Sequence, residues 1–393
     1  MRISQRLAVL GDSPTLAVDA RSKEMIRQGR PVISLALGEP DFPTPPHIVE
    51  AAIAAMHRGE TRYTPTPGTP ELRRAIAEKT RRDNNIPLEA ADVVVSAGAK
   101  HSLFNAFEAL LEPGDEVLVP LPCWVSYPPQ IALAEGVLVP VPTSAGQGFR
   151  VDGDLLREKI GPRTRVILLN SPSNPTGACL TRADVTSIAE LACERDLTIV
   201  SDEIYEDLVY EGERPVSPAS LGPEVAARTV TINGVSKSYA MTGWRIGWAM
   251  AKDRGLVQAM TRLQSHSTSN ACSVAQAAAL AALTSPRDFQ EDWRREFDRR
   301  RRRLVEGLNA LPGVSCLMPA GAFYAFPDVS AHLGPGRRAA TDTELALQLL
   351  EEAEVATVPG SAFEAPGHLR LSYALAYPRL EEALTRLTRF FQA

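Results

Sequence analysis

The chain has 393 residues, of which 44% are hydrophobic and 23% are charged, and its formal net charge at pH 7 is −5. This is the composition of a globular protein, long enough for two or three domains, and its acidic balance argues against a nucleic-acid partner. No apolar stretch reaches the ~18 residues that a membrane span requires. The five cysteines show no CxxC spacing and the N-terminus has no signal-peptide core, so we expect a cytoplasmic protein with reduced thiols.

Short apolar strands alternate with helical stretches through the middle of the chain. We predict a helix over 100–111, a helix that begins after the N-cap residue Thr181, and strands at 92–96, 116–119, 165–169, 197–200 and 229–232. Continuous apolar strands that alternate with helices are typical of a parallel sheet covered on both faces. The pattern therefore predicts an α/β fold with a mainly parallel central sheet.

The pattern changes after about residue 285. A long helix over 288–308 precedes a smaller α+β segment, with strands predicted at 323–326, 356–358 and 369–373. We interpret the arginine run 299–303 within this helix as a solvated face, because acidic residues precede it and leucines continue an apolar stripe. We expect a small C-terminal domain over 288–393, a large ligand-binding domain over 43–287, and an N-terminal arm with part of the small domain over 1–42.

Asn174, Asp202 and Lys237 each follow a predicted strand by a few residues. In a parallel sheet the ligand site lies at the carboxyl ends of the strands. We therefore expect these three side chains to meet at one edge of the sheet.

Lys237 is followed, within the same segment, by Gly243-Trp-Arg245. A lysine can form a Schiff base with a carbonyl, an arginine fork suits a phosphate dianion, and a carboxylate such as Asp202 can keep a pyridine nitrogen protonated. Together, Lys237, Arg245 and Asp202 predict a site for pyridoxal 5'-phosphate, a phosphorylated aldehyde.

Several further motifs occur along the chain in a specific order. They are Gly38-Glu-Pro-Asp-Phe42, Arg62-Tyr-Thr-Pro65, Trp124-Val-Ser-Tyr127, Asn174-Pro-Thr-Gly177, Ser201-Asp-Glu-Ile-Tyr205, Ser236-Lys237, Gly321-Ala-Phe-Tyr324 and Arg370-Leu-Ser-Tyr-Ala374. With these motifs the chain resembles the class I aminotransferases of pyridoxal-phosphate fold type I, most of all the bacterial aspartate aminotransferases of the thermophile-type subgroup. The resemblance runs from about Ser13 to the C-terminus.

The resemblance implies roles for the residues around the cofactor ring. Lys237 would hold the cofactor covalently and act as the base that moves the substrate proton, with a pKa lowered by burial and neighbouring positive charge. Asp202 would pair with the ring nitrogen. Tyr205 and Asn174 would bind the 3-oxygen of the ring, and Trp124 would stack on the ring face.

The resemblance also implies how the phosphate is held. The backbone N–H groups of Ala99 and Lys100, at a predicted helix start, would cradle the phosphate. Ser236 and Arg245 would complete this cup. Tyr63 would reach the phosphate of the neighbouring subunit, which implies an obligate homodimer with shared active sites.

Substrate binding follows from the same resemblance. Arg370 would hold the substrate α-carboxylate as a bidentate fork, with Gly38, Trp124 and Asn174 lining the same pocket.

The distal carboxylate of an acidic substrate needs a second cation. The segment 264–270, where better-known aspartate aminotransferases carry an arginine, contains none. The subgroup that this chain resembles uses a lysine and two hydroxyls instead, at the positions of Lys100, Ser13 and Thr15. Relatives that also transaminate prephenate carry a lysine where Gly11 stands, which argues against prephenate as a substrate.

We therefore expect a transaminase that moves the amino group of an amino acid, with L-aspartate the expected donor, to 2-oxoglutarate by a ping-pong mechanism. The alternatives are another aminotransferase specificity, or a pyridoxal-phosphate lyase or deaminase on the same scaffold. The acidic charge disfavours a non-catalytic sensor joined to a DNA-binding domain. The six histidines show no metal-binding spacing, so we predict no metal site.

Overall fold

The computed structural model describes residues 3–4, 7, 10, 14–212 and 214–392. Its α-helices are α1 (Pro14–Arg27), α2 (Pro46–His57), α3 (Pro70–Asn84), α4 (Ala99–Leu110), α5 (Tyr127–Leu133), α6 (Gly153–Arg157), α7 (Arg182–Arg195), α8 (Pro223–Ala227), α9 (Arg254–Ser267), α10 (Ser273–Thr284), α11 (Asp288–Asn309), α12 (Asp342–Glu352) and α13 (Tyr377–Gln392). Among these described residues, none of the helices has the length and hydropathy of a membrane span.

The strands are short and lie in three sheets. They are β1 (Ile33–Ser34), β2 (Val93–Ser96), β3 (Glu116–Leu121), β4 (Val137–Pro142), β5 (Thr164–Asn170), β6 (Thr198–Asp202), β7 (Thr229–Gly234), β8 (Gly247–Ala251), β9 (Tyr324–Ala325), β10 (Val355–Ala356), β11 (Val358–Pro359) and β12 (Leu369–Ser372). All five cysteines are free.

The central sheet has seven strands in the order β2-β8-β7-β6-β5-β3-β4. Strands β4, β3, β5, β6 and β7 run parallel, whereas β8 is antiparallel to both β7 and β2. The predicted α/β fold with a mainly parallel sheet is thereby confirmed. Strands β4 and β8 were not predicted from the sequence pattern. In β8 the run Gly-Trp-Ala-Met-Ala has little intrinsic strand preference, and its five residues form a strand because all are buried between neighbours.

Two smaller sheets join distant parts of the chain. Strands β11, β12 and β9 form an antiparallel sheet, and β1 pairs in parallel with β10. The single strand predicted at 356–358 is wrong, because β10 and β11 belong to different sheets and the buried Thr357 separates them. A short strand-like run can belong to one sheet or be divided between two sheets, and its sequence pattern does not distinguish the two arrangements.

The interpretation of the arginine run 299–303 as a solvated face is wrong for two of its members. The Arg301 side chain is 1% exposed, and its guanidinium donates to Pro319 O at 2.7 Å and to Glu211 at 2.8 Å. Arg300 is also buried and pairs with Asp41 at 2.8 Å. Arginine can lie inside a protein when its planar donors are paired, so a charged run in sequence does not establish exposure.

A buried ion pair supports the segment that follows β6. The Lys79 side chain on α3 is 3% exposed, and its ammonium binds the Glu206 carboxylate. Asn233, in β7, donates to the same carboxylate at 2.8 Å, and Asn84 donates to its other oxygen. Burial opposes both charges, yet the pairing raises the pKa of Lys79 and lowers the pKa of Glu206. This network joins α3, the turn at 203–206 and β7.

We expect Lys79→Met to lower the free energy of unfolding by roughly 3–5 kcal/mol, because the change leaves the buried Glu206 carboxylate without its counter-ion. The double variant with Glu206→Gln should recover much of the loss. Denaturant titration measures both, with Lys159→Met at an exposed lysine as the matched control. Equal losses in the single and double variants would show that the ion pair is not the cause.

Candidate active site

The predicted site residues gather at the carboxyl edge of the central sheet. Asp202 is the last residue of β6, Asn174 follows β5 by four positions, and Lys237 follows β7 by three. A cavity of about 600 Å³ opens at this edge, and its lining includes Gly38, Ala99, Lys100, Trp124, Asn174, Asp202, Tyr205, Ser236, Lys237, Arg245 and Arg370.

Three predicted site residues are not placed in this cavity. Tyr63 is 90% exposed and lines a separate surface cavity beside α10. Ser13 and the side chain of Thr15 lie outside the described residues. Their roles therefore stay predictions.

One end of the cavity is built to receive an anion. Helix α4 begins at Ala99, directly after Gly98, whose φ of 90° favours glycine. As first-turn groups, the N–H groups of Ala99 and Lys100 have no acceptor within the helix, and the helix dipole adds positive potential there. A Cβ on Gly98 would lie 2.3 Å from Nη2 of Arg245, so glycine lets the guanidinium approach the helix start. This arrangement fits a phosphate group.

Asp202 lies deep in the cavity and is 4% exposed. The Tyr127 hydroxyl donates to its Oδ2 at 2.7 Å, and the Ile204 N–H donates to its Oδ1 at 3.3 Å. Burial raises the pKa of Asp202 to about 6, although both hydrogen bonds and Lys237 favour the ionised form. A carboxylate in this environment is suited to bind a group that carries a proton and positive charge.

Lys237 lies within the cavity, and its amine donates to Gly38 O. Its Nζ lies 5.8 Å from the ring centres of Tyr205 and Phe323. Burial, and after it the charge of Arg370, lowers the pKa of Lys237 to about 8. A far larger fraction of this amine is therefore unprotonated at neutral pH than of an exposed lysine, as a nucleophile or base requires.

Arg370 is buried beside Asn174. Its Nη1 donates to Asn174 Oδ1 at 3.0 Å, and its Nη2 donates to Ala36 O at 2.7 Å. Its guanidinium lies 4.6 Å from the ring centre of Tyr324, whose hydroxyl is 2.8 Å from the hydroxyl of Tyr205. These contacts hold the arginine fork at the cavity wall.

Lys100 also faces the cavity. Its ammonium lies 4.9 Å from the ring centre of Trp124, which contributes to the same lining. Loss of water there, together with the charge of Arg245, lowers the pKa of Lys100. Lys100 and Arg370 are thus two of the basic side chains that line the cavity, and their surroundings differ.

Two tyrosines of this site, Tyr127 and Tyr324, had no role predicted from the sequence. Each lies in a motif that we noted, so the only available signal was the motif itself. Their hydroxyls contact Asp202 and Tyr205, which are far away in the sequence. Such contacts depend on the fold and leave no periodic pattern.

Residues 30–387 match the family model described as aminotransferase class I and II. The chain belongs to this family. It is 47% identical over 394 residues to an aspartate aminotransferase of Geobacillus stearothermophilus, covering 100% of both chains. It is 45% identical over 390 residues to an aspartate/prephenate aminotransferase of Thermus thermophilus, covering 98% of both. The resemblance seen in the motifs is thereby confirmed, and the chain is an aminotransferase.

The solved structures agree with this assignment. The crystal structure of the aspartate aminotransferase from Rhizobium meliloti superposes with a TM-score of 0.95 at 46% identity, covering 99% of this chain and 98% of that one. The Thermus thermophilus aspartate aminotransferase with maleate superposes with a TM-score of 0.93 at 45% identity, covering 99% of this chain and 100% of that one.

We expect the amine of Lys237 to titrate near pH 8 in the cofactor-free protein, well below an exposed lysine, because the buried ammonium lies near Arg370. Reductive methylation with ¹³C-formaldehyde gives each accessible lysine an NMR signal whose shift follows its pKa. The signal missing from Lys237→Arg identifies Lys237, and Lys159 is the exposed reference. A Lys237 signal that titrates in the ordinary range of an exposed lysine would contradict the prediction.

Proposed function

We propose that this aminotransferase moves the α-amino group of L-aspartate to 2-oxoglutarate by a ping-pong mechanism, with pyridoxal 5'-phosphate as its cofactor. The observation that supports it most is the arrangement of one cavity. An anion-binding helix start lies at one end, the buried carboxylate of Asp202 lies deep in the cavity, and the amine of Lys237 has a lowered pKa.

These residues fit the cofactor. The phosphate would lie at the N–H groups of Ala99 and Lys100, with Arg245 and the buried Ser236 beside it. Asp202 would bind the ring nitrogen and Trp124 would cover a ring face. When bound, pyridoxal phosphate supplies an electron-withdrawing ring that stabilises negative charge at the substrate α-carbon.

The protein side chains would hold and deprotonate the substrate. Lys237 would attach the cofactor and, once substrate has displaced it, Nζ would take the proton from the substrate α-carbon, for which a lowered pKa is needed. Asn174 accepts from Arg370 through Oδ1, which leaves its NH₂ group to donate to the ring 3-oxygen together with Tyr205. Arg370 would bind the α-carboxylate.

Once Lys237 and Arg245 are assigned to the cofactor, the ammonium of Lys100 and the guanidinium of Arg370 favour a substrate with two carboxylates. We assign the distal carboxylate to Lys100, whose ammonium lies over Trp124 in the cavity, because the segment 264–270 contains no arginine. The Thermus thermophilus relative was solved with maleate, itself a dicarboxylate. Ser13 and Thr15 are proposed to add hydroxyl donors to the same group.

We also propose that the enzyme is a homodimer with shared active sites. The large exposed ring of Tyr63 beside a surface cavity of about 620 Å³ is what a partner subunit would cover. Tyr63 would then bind the phosphate in the partner's site. A monomeric mass in sedimentation equilibrium would contradict this assembly. The cytoplasmic location and the division at residues 42 and 287 stay predictions.

The test of the proposed function begins with the isolated protein. We expect it to be yellow when loaded with pyridoxal phosphate, and borohydride should fix the cofactor to the peptide that contains Lys237. Lys237→Ala should lose this attachment, while Lys252→Ala, a lysine outside the cavity lining, should keep it. Turnover should give equal amounts of oxaloacetate and glutamate. Release of ammonia in place of glutamate would indicate the deaminase alternative.

The preference among amino donors tests the roles of Lys100 and Arg370 separately. Lys100→Ser should lower kcat/KM for aspartate and glutamate. The corresponding loss of transition-state stabilisation should be roughly 1–3 kcal/mol, the scale of a lost charge-assisted hydrogen bond, and kcat/KM for alanine should stay nearly unchanged. Arg370→Lys should impair all amino acids alike, because a single ammonium does not replace a bidentate fork. Steady-state kinetics with both donor classes measures this, with Lys159→Ser as control. Equal effects of Lys100→Ser on acidic and neutral donors would remove the basis for aspartate specificity.

A further inference from the structure

Tyr127 is a buried titratable group that contacts a residue of the proposed chemistry and has no role so far. It is 2% exposed, and its hydroxyl donates to Asp202 Oδ2 at 2.7 Å. Tyr127 begins helix α5, which follows β3, whereas Asp202 ends β6. The hydrogen bond therefore joins two separate elements at the edge of the sheet where the cavity opens.

The surroundings of Tyr127 fix the direction of its side chain. Its N–H donates to Trp124 O at 3.0 Å, and its ring meets the Trp124 ring edge-on at 5.3 Å between ring centres. One turn further along α5, the Gln130 side chain donates to Lys100 O at 3.0 Å, which ties α5 to the start of α4. The same short helix thus contacts the residues assigned to the ring face and to the phosphate.

The Asp202 carboxylate depends on such donors because it is buried. The donors that it receives are the Tyr127 hydroxyl on Oδ2 and the Ile204 N–H on Oδ1, and Lys237 is the charged group that favours its ionisation. Each carboxylate oxygen can accept more than one hydrogen bond, so both keep capacity toward the cavity. Removal of the Tyr127 hydroxyl would take away a hydrogen bond that favours the ionised carboxylate of Asp202. The burial of Asp202 would remain, and burial favours the protonated form.

We propose that Tyr127 is a positioning residue that holds Asp202 as an ionised carboxylate, oriented to bind the protonated ring nitrogen of the cofactor. The proposal rests on the proposed function, since it needs pyridoxal phosphate in this cavity. It adds that the affinity for the cofactor ring is set in part by a residue that contacts only the carboxylate. Tyr127 acts through Asp202, so its effect should disappear when the Asp202 charge is removed.

The test is cofactor binding to the cofactor-free enzyme, measured by absorbance titration. Tyr127→Phe should weaken binding of pyridoxal phosphate about tenfold at pH 7.5, the scale of one lost hydrogen bond to a charged group. Wild-type affinity should fall as the pH drops through about 6, where Asp202 becomes protonated. In Tyr127→Phe this loss should begin at higher pH, because the ionised form has lost a donor.

Two comparisons separate positioning from a general structural role. Tyr373→Phe is the matched control, since it removes another buried hydroxyl, one that donates to Ala322 O at 3.2 Å. It should change neither the affinity nor its pH profile. In an Asp202→Asn background, Tyr127→Phe should cause little further loss of affinity. Thermal melts of the cofactor-free variants establish that they fold.

The outcomes are distinct. If Tyr127→Phe binds the cofactor with wild-type affinity and pH profile, or weakens it equally in the Asp202→Asn background, the inference is overturned and the proposed function stands. If the wild-type protein binds no pyridoxal phosphate, the proposed function fails and this inference with it. If Tyr127→Phe folds poorly, the binding test is replaced by NMR of the protein with Tyr127 in place. A slowly exchanging Tyr127 hydroxyl proton that is lost in Asp202→Ala, which removes the acceptor, supports the inference, and its persistence there overturns it.

Discussion

Burial of charged side chains at the carboxyl edge of the sheet is the constraint on which the rest of this site depends. Asp202, Lys237 and Arg370 lie in one cavity where water does not screen their charges fully. Burial raises the pKa of Asp202 to about 6 and lowers that of Lys237 to about 8, so each moves toward its neutral form. An amine whose pKa lies near neutrality is what proton transfer at a substrate carbon requires, and the buried carboxylate is suited to bind a protonated, positively charged group.

Each buried charge is tied to neighbouring groups on other elements. Tyr127 and the Ile204 N–H hold Asp202, while Asn174 and Ala36 O hold Arg370. Behind the cavity, the pair of Lys79 and Glu206 secures the turn after β6. Because a buried polar group without a partner costs free energy, these contacts both stabilise the fold and restrict the directions of the site residues. The same interactions therefore serve stability and positioning.

Different side chains of the cavity favour different chemical groups. Close approach at Gly98 brings the guanidinium of Arg245 to the start of α4, which suits a phosphate. The separate cations Arg370 and Lys100 suit a substrate with two carboxylates, in keeping with the dicarboxylate bound by a relative. Recognition in this site is thus divided between backbone N–H groups, which every residue except proline carries, and a few side chains, which are specific to this sequence.

Much of this protein could be determined from its sequence. Continuous apolar strands that alternate with helices predicted the mainly parallel sheet, and side chains that follow such strands had to meet at one edge, which is how Asn174, Asp202 and Lys237 were found. These features depend on local patterns and on a general rule of strand direction. Tertiary structure alone decided what depends on distant pairing. It buried Arg300 and Arg301, divided 355–359 between two sheets, formed β8 from residues of low strand preference and brought the hydroxyl of Tyr127 to Asp202. The physical reason is that burial and hydrogen bonding between remote segments follow from how the elements pack, and no local periodicity encodes them.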